Sequence, residues 1–170
     1  VWDRTNSNII YALTGDGDEA GISGFVTAYG FSIPSLGVFK SLDGGISWQE
    51  TGEFPATSGN FHGYKLIQHP VNANTLYAAT TVGIYKTTDG GNSWLLVQSG
   101  SFTDLEFKPG NPDIMYAAEY STSSPFWRST NSGDSWNTAS TGISTNTTRI
   151  AIGVSASQPD YIYVLAGGSN

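Results

Sequence analysis

Apolar positions along this chain come in short bursts separated by clusters of turn residues. From Lys65 the bursts run Lys65–Gln68, Thr75–Thr81 and Ile84–Thr88, with a fourth starting at Trp94. Tyr and β-branched residues in these bursts favour an extended chain. Pro70 and the Asn residues between the first two, and Val82-Gly83 between the next, suit turns. A second set follows near 102–108, 114–120, 126–130 and 136–140. No segment keeps a helical period over a useful length. The pattern predicts an all-β chain built from antiparallel units of four short strands, A to D in order.

The turn between strands C and D repeats in sequence. It reads SLDGGISW at 41–48, TTDGGNSW at 87–94 and STNSGDSW at 129–136. The rule is a hydroxyl residue, any residue, Asp or Asn, any residue, Gly, any residue, Ser, Trp. The copies are 46 and 42 residues apart. A second motif keeps step with them: Asn8–Ala12, Asn74–Ala78, Asp113–Ala117 and Asp160–Val164. Forty-odd residues with four short strands is the period of a propeller blade. Each turn residue has a structural task. Ser41, Thr87 and Ser129 open the turn, and Asp43, Asp89 and Asn131 can accept backbone N–H groups inside it. Gly45, Gly91 and Gly133 can take positive φ. Trp48, Trp94 and Trp136 then bury a large ring against the same hairpin. Asn131 suits such a turn and would not serve as a catalytic carboxylate, so the motif reads as architecture.

These turns resemble the Asp-box repeats of bacterial neuraminidase repeat, sortilin-type and xyloglucanase-like β-propellers. The likeness covers nearly the whole chain. It extends to large secreted Bacteroidetes proteins exported by type IX secretion, whose sorting domain has no counterpart here. The resemblance implies a β-propeller in which the box is a structural staple and ligands bind on the opposite face.

In that register the units are roughly 1–54, 61–100, 101–142 and an incomplete 147–170. About three and a half four-stranded blades are too few to close a ring. The expected partner is therefore the rest of the same propeller chain, with self-association into a ring as the alternative. The opening Val1, without an initiator Met, points the same way: a processed product or a piece of something longer.

Composition narrows the function. Net charge is −7, with 7 basic residues in 170, which disfavours nucleic acid and anionic membrane surfaces as partners. No apolar run approaches the roughly 20 residues of a membrane helix. The absence of Cys excludes disulfides, thiolate metal sites and a Cys nucleophile. Ser, Thr, Asn and Gly richness with little Lys leans extracellular, and the resemblance implies a secreted or cell-surface bacterial protein. Asn146-Thr147-Thr148 matches a glycosylation sequon, a triplet that chance supplies often.

One B–C connection is long. It runs from Gly15 to Gly37, where the next unit uses two residues, and it belongs to the face opposite the boxes. Loops of this length are usually functional or disordered. Phe25, Tyr29 and Phe31 with Asp16, Asp18 and Glu19 suit sugar stacking and hydroxyl recognition; the preferred reading is that the rings pack the loop onto its own blade and the acids are solvated. The acids could take Ca²⁺ through oxygen ligands, although they lack the spacing of an EF-hand loop. No other cofactor is expected.

Enzyme chemistry is hard to place. The resemblance to sialidases would require three Arg around a substrate carboxylate, and Arg4, Arg128 and Arg149 fall on separate elements. Xyloglucanase-like hydrolases use two distant Asp residues as acid and base. Asp104 and Glu106 share one side of a strand A and Glu119 ends a strand B, without forming a recognisable pair. His62 and His69 are the only histidines, and His69 sits in a turn. The expected function is a non-catalytic scaffold or binding module for protein or glycan ligands. The alternatives are a blade segment of a xyloglucanase-like glycoside hydrolase, and an assembly-factor propeller.

Overall fold

The computed structural model describes residues 1–15, 34–55, 61–120, 126–143 and 147–168. Four antiparallel sheets follow one another along the chain. The first holds β1 (Ile10–Leu13), β2 (Val38–Ser41) and β3 (Gln49–Glu50), with a single Trp2–Ile10 bridge on the far edge of β1. The second holds β4 (Gly63–Gln68), β5 (Leu76–Thr80), β6 (Gly83–Thr87) and β7 (Leu95–Ser99). The third repeats it with β8 (Phe102–Phe107), β9 (Met115–Glu119), β10 (Phe126–Ser129) and β11 (Asn137–Thr138). The last pairs β12 (Thr147–Val154) with β13 (Ile162–Gly168). In the second and third sheets the strands are ordered as in the sequence, so every connection is a hairpin. The strand limits fall within one or two residues of those expected from the apolar bursts.

The sheets stack face to face, and β5 shows why its sequence is LYAAT. Alternate residues of a strand point to opposite faces. Leu76 and Ala78 join a core with Tyr11, Val38 and Trp94, between the first and second sheets. Tyr77 and Ala79 join a core with Phe102, Leu105 and Trp136, between the second and third. Tyr116, Ala118 and Phe126 meet Ile150 and Ile152 in the same way. A second strand buried on both faces cannot alternate with polar residues. It uses Ala at 78, 79, 117 and 118, all fully buried, where neighbouring sheets approach.

The box turns form the network that their residue types imply. Ser41 Oγ and Thr87 Oγ1 donate to Asp43 and Asp89 at 2.8 and 2.7 Å, and accept the N–H of Gly45 and Gly91 at 2.8 and 3.0 Å. Each carboxylate also takes the backbone N–H and hydroxyl of Ser47 or Ser93. These bonds, those from the serine hydroxyls foremost, hold both carboxyl groups down to about 2. Asn131 substitutes without losing a bond: its Oδ1 accepts from Ser129 Oγ and Ser135 N, and its Nδ2 donates to Ser135 Oγ at 2.9 Å. Two consecutive residues in each turn have positive φ, and only the third copy fills the first of them with a side chain, Ser132 at 53°.

The tryptophans correct one expectation. Trp48 donates its indole N–H to Gly45 O in its own turn at 3.1 Å, yet its residue is 43% exposed. Trp136 makes the same bond to Gly133 O and is 7% exposed, and Trp94, at 6%, reaches across to Thr51 Oγ1. The hairpin therefore orients the ring, but the preceding sheet buries it. Trp48 has no preceding sheet among the described residues.

Candidate functional site

The expected ligand residues Asp16, Asp18, Glu19, Phe25, Tyr29 and Phe31 lie outside the described residues. The base of their loop is well defined. Thr14 Oγ1 donates to Gly37 O at 2.9 Å and accepts from Leu36 N at 2.8 Å, while Ser35 Oγ accepts from Gly37 N. Gly15 has φ +86°, and a Cβ there would meet the Ser35 backbone at 2.7 Å. This hydroxyl-lined neck joins the two ends of the insertion at the end of the first sheet away from the box. Beside it a cavity of about 200 Å³ is lined by Ser35, Leu36, Glu50, Glu53 and Phe54, and so carries two carboxylates.

A larger cavity of about 670 Å³ opens between Trp2, Tyr11, Leu13, Gly63, Tyr64 and Leu66. Its volume is that of a small-molecule site. In the second sheet β4 pairs with β5 from Gln68↔Leu76 back to Gly63↔Thr80. In the first sheet the matching pairing stops after Trp2↔Ile10 and the two bonds joining Val1 to Tyr11, at 2.7 and 2.8 Å. The cavity lies along Ala12 and Leu13 on one side and Gly63, Tyr64 and Leu66 of β4 on the other.

The carboxylates weighed for catalysis are committed to structural bonds. Asp104 and Glu106 point the same way, as alternation requires, and both bond Lys65 Nζ on β4, at 2.5 and 2.7 Å. Burial opposes the charge on Lys65, but the two carboxylates outweigh it and raise its pKa. Asp104 also accepts Leu105 N and, at 2.7 Å, Ile152 N on β12, so it ties together the first strands of three successive sheets. Glu119 accepts the Trp127 indole N–H at 2.7 Å. Asp3 caps its own turn through Thr5 and Asn6 and takes Gln68 Nε2 from the next sheet; burial acts against its charge and these bonds prevail, lowering its pKa. His69 Nδ1 accepts Val71 N and Asn72 N, confirming a turn role. Arg4, Arg128 and Arg149 lie on separate elements, in a turn, on β10 and on β12. Among the described residues no cluster of three or more His, Asp or Glu could hold a metal, and no helix is long and apolar enough to cross a membrane.

Sequence reasoning missed one recurring pair. Lys40, Lys86 and Arg128 each stand directly before a box, and each faces a Tyr across the sheet: Tyr11, Tyr77 and Tyr116. The signal was available, since three of only seven basic residues occupy this one position.

No family model and no curated protein matches the chain. Solved structures do. An ancestral GH74 enzyme matches 75% of this chain at 25% identity with a TM-score of 0.64. The GH74 xyloglucanase from Xanthomonas campestris matches 98% at 13% identity, also with a TM-score of 0.64. YCF48 from Cyanidioschyzon merolae aligns at 16% identity over 81% of this chain and 49% of its own, with a TM-score of 0.43, too low to carry an argument. The chain spans only 18% and 27% of the two GH74 chains. Four stacked antiparallel sheets, two of them complete with four strands, and this likeness to GH74 structures make the chain part of an all-β propeller.

Proposed function

We propose that this chain is a stretch of a secreted or cell-surface bacterial propeller, exported by a type IX route, that acts as a non-catalytic scaffold or binding module for protein or glycan ligands. The observation that carries the reading is the commitment of the acids weighed for catalysis. Asp104 and Glu106 both neutralise Lys65, Asp104 also holds two backbone N–H groups, and Glu119 is spent on Trp127. A glycosidase needs an acid and a base on either side of the scissile bond, whereas Asp104 and Glu106 converge on one lysine and Glu119 holds an indole. The repeated turns act as Asp-box staples in this reading, and the ligand site belongs to the Gly15–Gly37 connection, whose base is held by Thr14, Ser35 and Gly37. There its aromatic residues would stack on sugar rings. The rest of the propeller is its constant partner.

A second reading is a blade segment of a xyloglucanase-like glycoside hydrolase, favoured by the 25% identity to an ancestral GH74 enzyme. The test is to pass the chain, and a longer chain carrying further blades, over immobilised xyloglucan and other β-glucans while assaying reducing ends. Retention without new reducing ends supports the binding reading. New reducing ends from the longer chain support the hydrolase. Loss of retention on changing Tyr29 and Phe31 to Ala places the site in the insertion, and unchanged retention removes it from there.

A further inference from the structure

Charges that recur from repeat to repeat serve the architecture. Tyr11 Oη and Lys40 Nζ both donate to Gly90 O in the next sheet, at 3.3 and 3.2 Å. Tyr77 Oη and Lys86 Nζ do the same to Ser132 O, at 2.7 and 2.8 Å. Each Tyr–Lys pair thus clamps the following box turn. Charges that break the repeat have no such role, and three of them line one cavity. It has a volume of about 330 Å³ and lies where β4 and β8 run into their turns, beside the turn that carries Arg4. Its walls include Arg4, Ile67, Pro70, Glu106, Phe107 and Lys108. These turns share an end with the boxes: Asn8 O, Asn74 O and Asp113 O accept the N–H of Gly44, Gly90 and Ser132. The strand registers set Glu106 level with Ile67 and Gly153, each opposite its Tyr. Lys108 stands where the two earlier repeats have Asp3 and His69, as their matching backbone bonds to Ile114, Ile9 and Thr75 show. Arg4 stands where the next two repeats have Pro70 and Pro109.

The frame of this cavity is fixed and its charges are not saturated. Gln68 Oε1 accepts Arg4 N at 3.0 Å and Gln68 Nε2 donates to Asp3, so the turn bearing Arg4 is tied to the second sheet. Phe107 is wedged between His69 and Tyr77, with ring centres 5.5 and 5.6 Å away. Glu106 gives one oxygen to Lys65 Nζ at 2.7 Å, which offsets its charge and leaves the other oxygen as an acceptor. Lys108 pairs with Asp160, whose side chain is 86% exposed, and a pair so open to water is readily exchanged. Among the described residues the Arg4 guanidinium has no partner.

We propose that this cavity binds an acidic sugar, a hexuronate residue of a polysaccharide. The planar fork of Arg4 takes the sugar carboxylate through two parallel N–H bonds. Lys108 supplies the second positive charge by exchanging Asp160 for the ligand. Glu106 accepts from a ring hydroxyl, and Pro70 and Phe107 carry the apolar face of the ring. A neutral sugar leaves Arg4 without an anion, and a peptide carboxylate on an apolar side chain offers no hydroxyl to Glu106. The chain carries a net charge of −7, so an acidic polymer is held here against a general repulsion. The site shares no residue with the Gly15–Gly37 connection. Changing Tyr29 and Phe31 tests the one, and changing Arg4 and Lys108 tests the other.

The test titrates the chain with trigalacturonate and with its methyl ester, in low salt, by calorimetry. The acid should bind, and the ester should bind roughly tenfold more weakly or not at all. Arg4→Ala should lower the affinity for the acid by a similar factor with no change in the urea midpoint, and Arg4→Lys by less. Asp160→Asn should tighten binding, but not in a Lys108→Met background, a coupling that a general loss of negative charge would not produce. No binding at millimolar acid, equal binding of the ester, affinity that survives Arg4→Ala, or an Asp160→Asn gain that persists without Lys108 overturns the site. Equal affinity for acetyl-leucine would give the cavity to a polypeptide carboxyl terminus and overturn the sugar.

Discussion

The three box glycines, Gly45, Gly91 and Gly133, provide a graded test of the idea that the turn faces the preceding sheet. All three have positive φ, at 94°, 91° and 73°, so an Ala at any of them bears the left-handed penalty of roughly 1–2 kcal/mol. What differs is the space. A Cβ at Gly133 would lie 2.8 Å from Tyr77 Cε1 and 3.1 Å from Met115 Sδ; the ring belongs to the preceding sheet and is fully buried. At Gly91 it would meet the Thr51 methyl at 3.0 Å, and at Gly45 nothing closer than 3.6 Å. Forcing a methyl into a packed junction costs about 1–3 kcal/mol more. Gly133→Ala should therefore lose about 2–5 kcal/mol, Gly91→Ala less, and Gly45→Ala only the backbone part, about 1–2 kcal/mol. Urea unfolding followed by Trp fluorescence reads the order from the midpoints. Equal losses at all three would show that the turn's conformation alone matters and would refute the inter-sheet argument.

Other outcomes follow from the same packing. Trp136→Ala should cost about 3–5 kcal/mol in urea unfolding, as for a buried aromatic, while Trp48→Ala should cost markedly less because its ring is 43% exposed. Asp104→Ala strands the buried N–H of Ile152 and should cost about 1–3 kcal/mol; Lys65→Met leaves that bond in place and should lose less if the backbone bond dominates. His69 should make stability fall with acid. Burial, with the positive charge of Lys86, lowers its pKa below 6.5, so its contribution is whole above 6.5 and is lost as pH falls towards the folded value. His69→Asn should flatten that part of the profile of unfolding midpoint against pH.

Much of this fold could be read from the chain because its strongest signals are local. Each strand of the second sheet was visible as an apolar burst, and the hydrogen bonds within each box follow from residue type, down to the exchange of Asp for Asn131. What could not be read is which sheet a side chain meets. Trp94 and Trp136 look identical to Trp48 in sequence, and only the stacking order separates buried from exposed. The Tyr–Lys clamp was hidden for the same reason: Tyr77 and Ser132 are 55 residues apart and meet only when two sheets stack. Asp104 was rightly placed on the side it shares with Glu106, but its bonds to Lys65 and Ile152 span three sheets, beyond the reach of any pattern within one strand.

The central claim, that the repeated box is architecture, is tested most directly by converting its two Asp copies to the form the third already has. The urea midpoint of the Asp43→Asn, Asp89→Asn double variant should shift by less than that of Gly133→Ala at neutral pH, because Nδ2 can donate to the serine hydroxyl as in Asn131. A larger loss would contradict the account: the ionised carboxylates would then be doing more than closing a turn, and the box would have to be reconsidered as chemistry.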